Sequence, residues 1–193
     1  MLKMSFENYL NDFITLAQSV DKAEVQRLNE AIAAAYNAGK RVFIIGNGGS
    51  AANASHLCED LGKGTLSDFE NQKRLKVISL TDNAPYILAW GNDTSFDRVF
   101  VEQLKNLAEN GDLLIAISGS GNSPNIVRAV EYANENGLKT FAITGYDGGK
   151  LLKCAQDALW IRSHNMGMVE VAHDVVFHYL TEDLMKQFAG ATK

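Results

Sequence analysis

Two stretches of this chain carry paired imidazoles and carboxylates. The helix-like stretch after residue 50 places His56 and Asp60 four residues apart, on one helix face. Such a pair could hold a metal or share proton work, but on spacing alone the favoured reading is a surface helix with ordinary polar residues. The neighbouring acid, Glu59, points about 100° away. The last helix-like segment carries Glu170, His173, Asp174 and His178. Glu170 and His178 are eight residues apart, about 12 Å of helical rise. One helix cannot give both to one ion, so a neighbouring subunit would have to supply one of them. His173 and Asp174 read as a solvated face or a helix–helix contact.

Two glycine- and serine-rich loops each follow an apolar, strand-like run. They are Ile44-Ile45-Gly46-Asn47-Gly48-Gly49-Ser50 and Ile115-Ala116-Ile117-Ser118-Gly119-Ser120-Gly121-Asn122-Ser123. A strand that turns through small residues into a helix aims free backbone N–H groups and the positive helix end at one spot. That spot suits a phosphate. Glycine lets the backbone come close, and serine and asparagine add donors without charge. The first loop lacks the third glycine of a dinucleotide fingerprint, and it has no Gly-Lys-Ser/Thr of a P-loop. A single loop of this kind is as easily a tight turn; two at equivalent strand ends favour a small phosphorylated metabolite. Gly91-Asn92-Asp93 reads equally as an exposed functional turn or as the cap of the next helix. His164 reads as incidental, and Cys58 as a core thiol.

Regular elements must hold these groups. Apolar periodicity predicts helices over 4–19 and 22–38, the second capped by Asp21 and closed by Gly39. Strands are expected over 41–45, 75–80, 113–117, 138–143 and 158–161. Helices are expected over 51–61, 84–90, 96–107, 124–134 and 168–188. This alternation implies an α/β fold: a doubly wound, five-stranded parallel sheet flanked by helices, with an N-terminal helical extension. Ligands of such sheets sit at the carboxyl ends of strands, where both loops fall. A single domain is expected over 1–193, with 1–38 as the extension and 39–193 as the α/β core.

A chain of 193 residues, 46% hydrophobic, can bury a substantial core. Its net charge of −5, with no basic stripe, argues against a nucleic-acid surface. The two cysteines, Cys58 and Cys154, form no CxxC pair, which excludes a zinc ribbon. The stretch Met1-Leu2-Lys3-Met4-Ser5-Phe6-Glu7 lacks the apolar core of a signal peptide, and no run is apolar enough to cross a bilayer. A reducing, cytoplasmic location is the default expectation.

The two loops, together with Gly91-Asn92-Asp93 and Thr144-Gly145-Tyr146-Asp147-Gly148-Gly149, resemble the sugar isomerase (SIS) fold. Within it the chain looks most like the phosphoheptose (sedoheptulose-7-phosphate) isomerases, over nearly its whole length. The resemblance implies a homotetramer with active sites between subunits. It implies conversion of sedoheptulose 7-phosphate to D-glycero-D-manno-heptose 7-phosphate, which feeds the heptose of lipopolysaccharide core or surface glycans. It assigns phosphate contacts to Ser118, Ser120 and Ser123, and substrate contacts to Asn47, Ser50 and Asp93. Gly48, Gly49, Gly119 and Glu170 complete that binding set. The acid–base pair carries over to Asp60 and His178. Some members bind zinc through the positions of His56, Asp60, Glu170 and His178.

This chain departs from the family at four positions. The family usually has glutamate at Asp60, glutamine at Glu170, aspartate at Gly167 and arginine at Gly64. The extra acid beside two histidines suits zinc. The stretch Ser50-Ala51-Ala52-Asn53-Ala54-Ser55-His56 also resembles a bacterial SIS protein that binds the replication initiator as a tetrameric scaffold. Such a scaffold has no need of Glu170 and His178 together. The expected activity is therefore ketose–aldose isomerisation of a phosphorylated sugar, with a non-catalytic phosphosugar-binding or scaffold protein as the alternative.

Overall fold

A computed structural model describes residues 5–190; the expected helix start at residue 4 lies outside the described residues. Two helices open the chain, α1 (Phe6–Gln18) and α2 (Lys22–Ala38). The Asp21 side chain accepts from the Ala23 amide, and Gly39 ends α2 in the left-handed conformation. The fully buried Leu28 and Ile32 of α2 pack on the sheet beside Val42 and Ile44. Burying each such side chain contributes about 1.5–3 kcal/mol.

Five parallel strands follow: β1 (Arg41–Ile45), β2 (Lys76–Ser79), β3 (Leu113–Ser118), β4 (Lys139–Thr144) and β5 (Asp157–Trp160). Their order is β2-β1-β3-β4-β5, and Ile45 pairs with Ala116 where β1 and β3 meet. All six residues of β3 are buried, as both faces of the sheet are covered. One face packs against α2, α3 (Gly49–Glu59) and α8 (Met166–Gly190). The other packs against α5 (Val101–Leu107), α6 (Pro124–Glu135) and the short α7 (Leu151–Cys154), which the periodicity did not predict. The chain leaves β1 for one face and β3 for the other, so a crevice opens between their carboxyl ends.

Three element ends differ from expectation, each for a local reason. Helix α3 begins at Gly49, inside the loop, and runs on through a π-helical turn, Asp60–Gly64. Helix α4 (Ala84–Asp93) absorbs Gly91-Asn92-Asp93 into its last turn, because the Thr94 amide and hydroxyl both bond the Trp90 carbonyl. The helix expected over 96–107 breaks into a 3-10 turn, Phe96–Arg98, followed by α5. Val99, Phe100 and Val101 are all buried there; an unbroken helix would spread them over about 200° of its circumference.

Candidate active site

The two glycine–serine loops face each other across the β1/β3 crevice. Asn47 and Asn125 exchange two side-chain hydrogen bonds of 2.9 Å each, tying the first loop to the start of α6. Together the loops line a small recess of about 90 Å³, made by Asn47, Ser50, Ile117, Ser118, Gly119, Ser120, Ser123, Met166 and Glu170. Gly48, with φ 55°, precedes α3 and offers no capping side chain. Ser123 precedes α6, and its hydroxyl does not cap that helix; it lies 3.5 Å from the Ser118 hydroxyl instead. Two helix N-termini thus point at the recess without side-chain caps, and serine hydroxyls stand beside them.

Glu170 closes the recess from α8. A Cβ at Gly49 would lie 2.2 Å from its carboxylate, so only glycine lets the acid sit against the first turn of α3. An anion there is favoured by the helix dipole. Asn53 donates to the Glu170 carbonyl (3.0 Å) and holds α8 at this depth.

Helices α3 and α8 run side by side in the same direction. Gly49 meets Glu170 at one end, and a Cβ at Gly64 would lie 2.8 Å from the Thr181 methyl at the other. Between them His56, Asp60, Asp174 and His178 form a cluster. Asp60 Oδ2 lies 3.3 Å from His178 Nδ1 and 3.7 Å from His56 Nε2. Asp174 lies 3.3 Å from His56 Nδ1 and 3.8 Å from His178 Nε2. The rings meet edge to face at 5.0 Å. Of the four residues to which the resemblance assigns zinc, three gather here. Glu170 does not; Asp174 takes the fourth place.

Of the two readings open for His173 and Asp174, a solvated face or a helix–helix contact, the packed one holds. His173 is fully buried, with Nε2 3.2 Å from the Thr144 carbonyl oxygen. Burial pushes its pKa down to about 4, against a smaller opposing effect of that hydrogen bond. Its Nδ1 has no partner among the described residues. Asp93 is exposed at the end of α4, where it accepts from Asn92 (2.8 Å), and it makes no hydrogen bond to the recess. Asn125 and Met166 escaped the sequence reading. Asn125 carried a signal, a polar residue on the face of α6 that the apolar spacing predicts to be inward.

A parallel sheet in this order, with two glycine–serine loops facing each other at its switch point, defines a doubly wound α/β protein. The chain belongs to the SIS domain family, whose model matches residues 5–145, in its phosphoheptose isomerase branch. A probable phosphoheptose isomerase of Thermoplasma volcanium is 36% identical over 177 residues, 92% of this chain and 89% of the relative. The phosphoheptose isomerase of Trichlorobacter lovleyi is 36% identical over 190 residues, 94% of each chain. The structure of phosphoheptose isomerase GmhA from Neisseria gonorrhoeae superposes with a TM-score of 0.84 at 27% identity, covering 92% of this chain and 95% of that one.

Proposed function

We propose that this chain is a ketose–aldose isomerase that converts sedoheptulose 7-phosphate to D-glycero-D-manno-heptose 7-phosphate. The observation that carries the reading is the recess itself, where Ser118, Ser120 and Ser123 stand at two uncapped helix ends. Those groups grip a phosphate without a cation. Asn47, Ser50 and Glu170 are left to meet sugar hydroxyls.

Isomerisation moves one proton from C1 to C2 through a cis-enediol. A base takes the C1 proton, and an acid returns one to C2 while the hydroxyl proton moves between the oxygens. Asp60 and His178, 3.3 Å apart, are the acid–base pair of this reading. They lie on the far part of α3 and α8: Gly49 and Asp60 are eleven residues apart, about 16 Å along the helix. A second copy of the chain would bring its own pair to a sugar held in this recess.

The surface fits such an assembly. Val171, Val175 and Tyr179 on α8 and Phe6, Leu10 and Ile14 on α1 are exposed apolar residues at helical spacing. Between these helices and α2 runs an apolar groove of about 720 Å³. A homotetramer with sites between subunits is the assembly we propose. Among the described residues no helix is long and apolar enough to cross a membrane, and both cysteines are free thiols, as a reducing cytoplasm would keep them.

The donor set also fits a divalent cation. Two imidazoles and two carboxylates converge in one cluster, and zinc accepts both ligand types. When bound, such an ion polarises carbonyl and hydroxyl oxygens of the sugar. The cluster also speaks against a pure scaffold, which has no use for it.

Purified protein incubated with sedoheptulose 7-phosphate is expected to form the aldose, and His178→Ala to abolish it. Turnover of a pentose or hexose phosphate in preference to the heptose would overturn the assigned substrate. Tight phosphosugar binding with no turnover, with or without zinc, would overturn the enzyme.

A further inference from the structure

We propose that the turn 144–149, after β4, makes the 118–123 loop an anion site from behind, with Asn122 as the positioning residue between the two. The proposal rests on the reading of that loop as the phosphate grip. An anion needs amides in front of it and carbonyls turned away, because a carbonyl oxygen carries the same sign of charge as a phosphate oxygen. Four consecutive carbonyls of the loop are each held by a donor. The Ser118 carbonyl accepts from the Gly121 amide (3.0 Å), that of Gly119 from the Gly145 amide (2.9 Å) and that of Gly121 from the Leu151 amide (2.9 Å). The Ser120 carbonyl accepts from Asn122 Nδ2 (2.9 Å).

Holding a carbonyl back aims the next amide forward, since the two point opposite ways across a trans peptide. The Ser120 amide, beyond the Gly119 carbonyl, donates to nothing among the described residues, and neither does that of Ser123. The Asn122 amide, beyond the Ser120 carbonyl, reaches the Ser120 hydroxyl oxygen (3.3 Å). The Gly121 amide likewise reaches the Ser118 hydroxyl oxygen (3.2 Å). A hydroxyl that accepts from a backbone amide keeps its own proton to donate, so both serines offer an O–H to the recess.

The two segments meet backbone to backbone. A Cβ at Gly121 would lie 2.0 Å from the Gly148 carbonyl oxygen, and one at Gly149 would lie 2.6 Å from the Ser120 carbonyl oxygen. Tyr146, with φ 48°, is the one residue other than glycine in the left-handed region among the described residues. Its amide donates to the Ser163 carbonyl (2.9 Å), and its carbonyl accepts from Trp160 Nε1 (3.1 Å). Such strain persists where the surroundings over-determine it, and it clusters at functional sites. Asn122 completes the brace: while Nδ2 holds the Ser120 carbonyl, Oδ1 accepts from the Lys150 amide (3.2 Å). The position asks for one donor and one acceptor on a short side chain, which a carboxamide supplies and a carboxylate does not. Asn122 is exposed and lines no part of the recess, so it acts on the anion through Ser120.

Inorganic phosphate serves as the probe, titrated calorimetrically into the purified full-length protein. Asn122→Ala is expected to weaken its binding by about 3–10-fold, the worth of one hydrogen bond, and to raise KM for the sugar phosphate by the same factor with kcat little changed. Asn122→Asp keeps the acceptor for Lys150 and loses the donor for Ser120, so it should bind phosphate no better than the alanine variant. The neutral alanine variant separates loss of the brace from added charge. Asn136→Ala removes another exposed asparagine, bonded to the Tyr132 carbonyl (2.8 Å) at the end of α6, and should leave phosphate binding unchanged. Asn122→Ser replaces the alanine variant if the latter fails to fold by circular dichroism. Wild-type phosphate affinity in either Asn122 variant would overturn the proposal, as would a fall in kcat with KM unchanged, or a wild type that binds no phosphate. Failure to turn over the heptose phosphate by a protein that shows the expected phosphate pattern would sink the isomerase reading and leave the brace intact.

Discussion

Asn47 and Asn125 hold each other through two amide hydrogen bonds of 2.9 Å, and this pair is the clasp between the loop after β1 and the helix after β3. Asn125 is 2% exposed, so its amide has little recourse to water. Asn125→Leu removes both bonds and also the one from the Ile126 amide to Asn125 Oδ1 (3.0 Å). The expected cost is about 1–3 kcal/mol, read as a lower urea midpoint. The loops lose their mutual alignment, so KM for the sugar phosphate should rise more than kcat falls.

The serine hydroxyls of the recess should behave as ground-state phosphate binders. A hydrogen bond to a charged group is worth about 1.5–3 kcal/mol. Ser120→Ala and Ser123→Ala are each expected to lower kcat/KM by about 10–100-fold on that basis, mostly through KM. Inorganic phosphate should inhibit wild type competitively and both variants more weakly, as steady-state kinetics would show.

Gly49→Ala is expected to separate stability from activity. Its new Cβ meets only the end of a flexible side chain, the Glu170 carboxylate. That acid swings away, and the melting temperature changes little; a loss above about 1.5 kcal/mol would indicate a rigid clash instead. Activity should fall at least as far as in Glu170→Ala, and the double variant should be no worse than the worse single one. Parallel thermal melts and kinetics on the three proteins decide it.

The acid–base pair should appear in kcat. Asp60→Asn and His178→Ala are expected to reduce kcat by about 100–10,000-fold, the usual contribution of a positioned proton carrier. Mixed oligomers reassembled from a Ser120 variant and a His178 variant should regain activity that neither parent shows. No rescue after verified subunit exchange would place recess and pair in one chain.

A charge on the apolar stripe tests the assembly. Val175 is 52% exposed in the single chain and lines the groove. Val175→Glu should dissociate the proposed tetramer in sedimentation velocity while the far-ultraviolet circular dichroism of the chain is kept.

The sheet was legible in the sequence because each buried strand is a short apolar run between glycines. Strands β1, β3 and β4 fall within a residue of expectation. Both loops were legible because small residues after a strand have few other uses. Gly91-Asn92-Asp93 misled because Thr94 seals the helix through a hydroxyl, a contact that spacing does not reveal. For His173 and Asp174 the spacing left a solvated face and a helix contact both open, because adjacent residues point about 100° apart: one turns into the core beneath Thr144 and the other into the histidine cluster. Only the direction in which α8 crosses α3 tells them apart, and that direction is a property of the packed molecule.

Glycine at position 64 has a further consequence. Glu170, Asp174 and His178 follow one another at single-turn intervals along α8, so a slide of that helix by one turn, about 5.4 Å, would trade each acid's neighbours for the next set. Thr181 seated in the gap at Gly64, with Val169 pressed on Gly145 at the other side, acts as a detent against such a slide. A larger side chain at position 64 would fill that notch; glycine lets the long helix lock at a single depth.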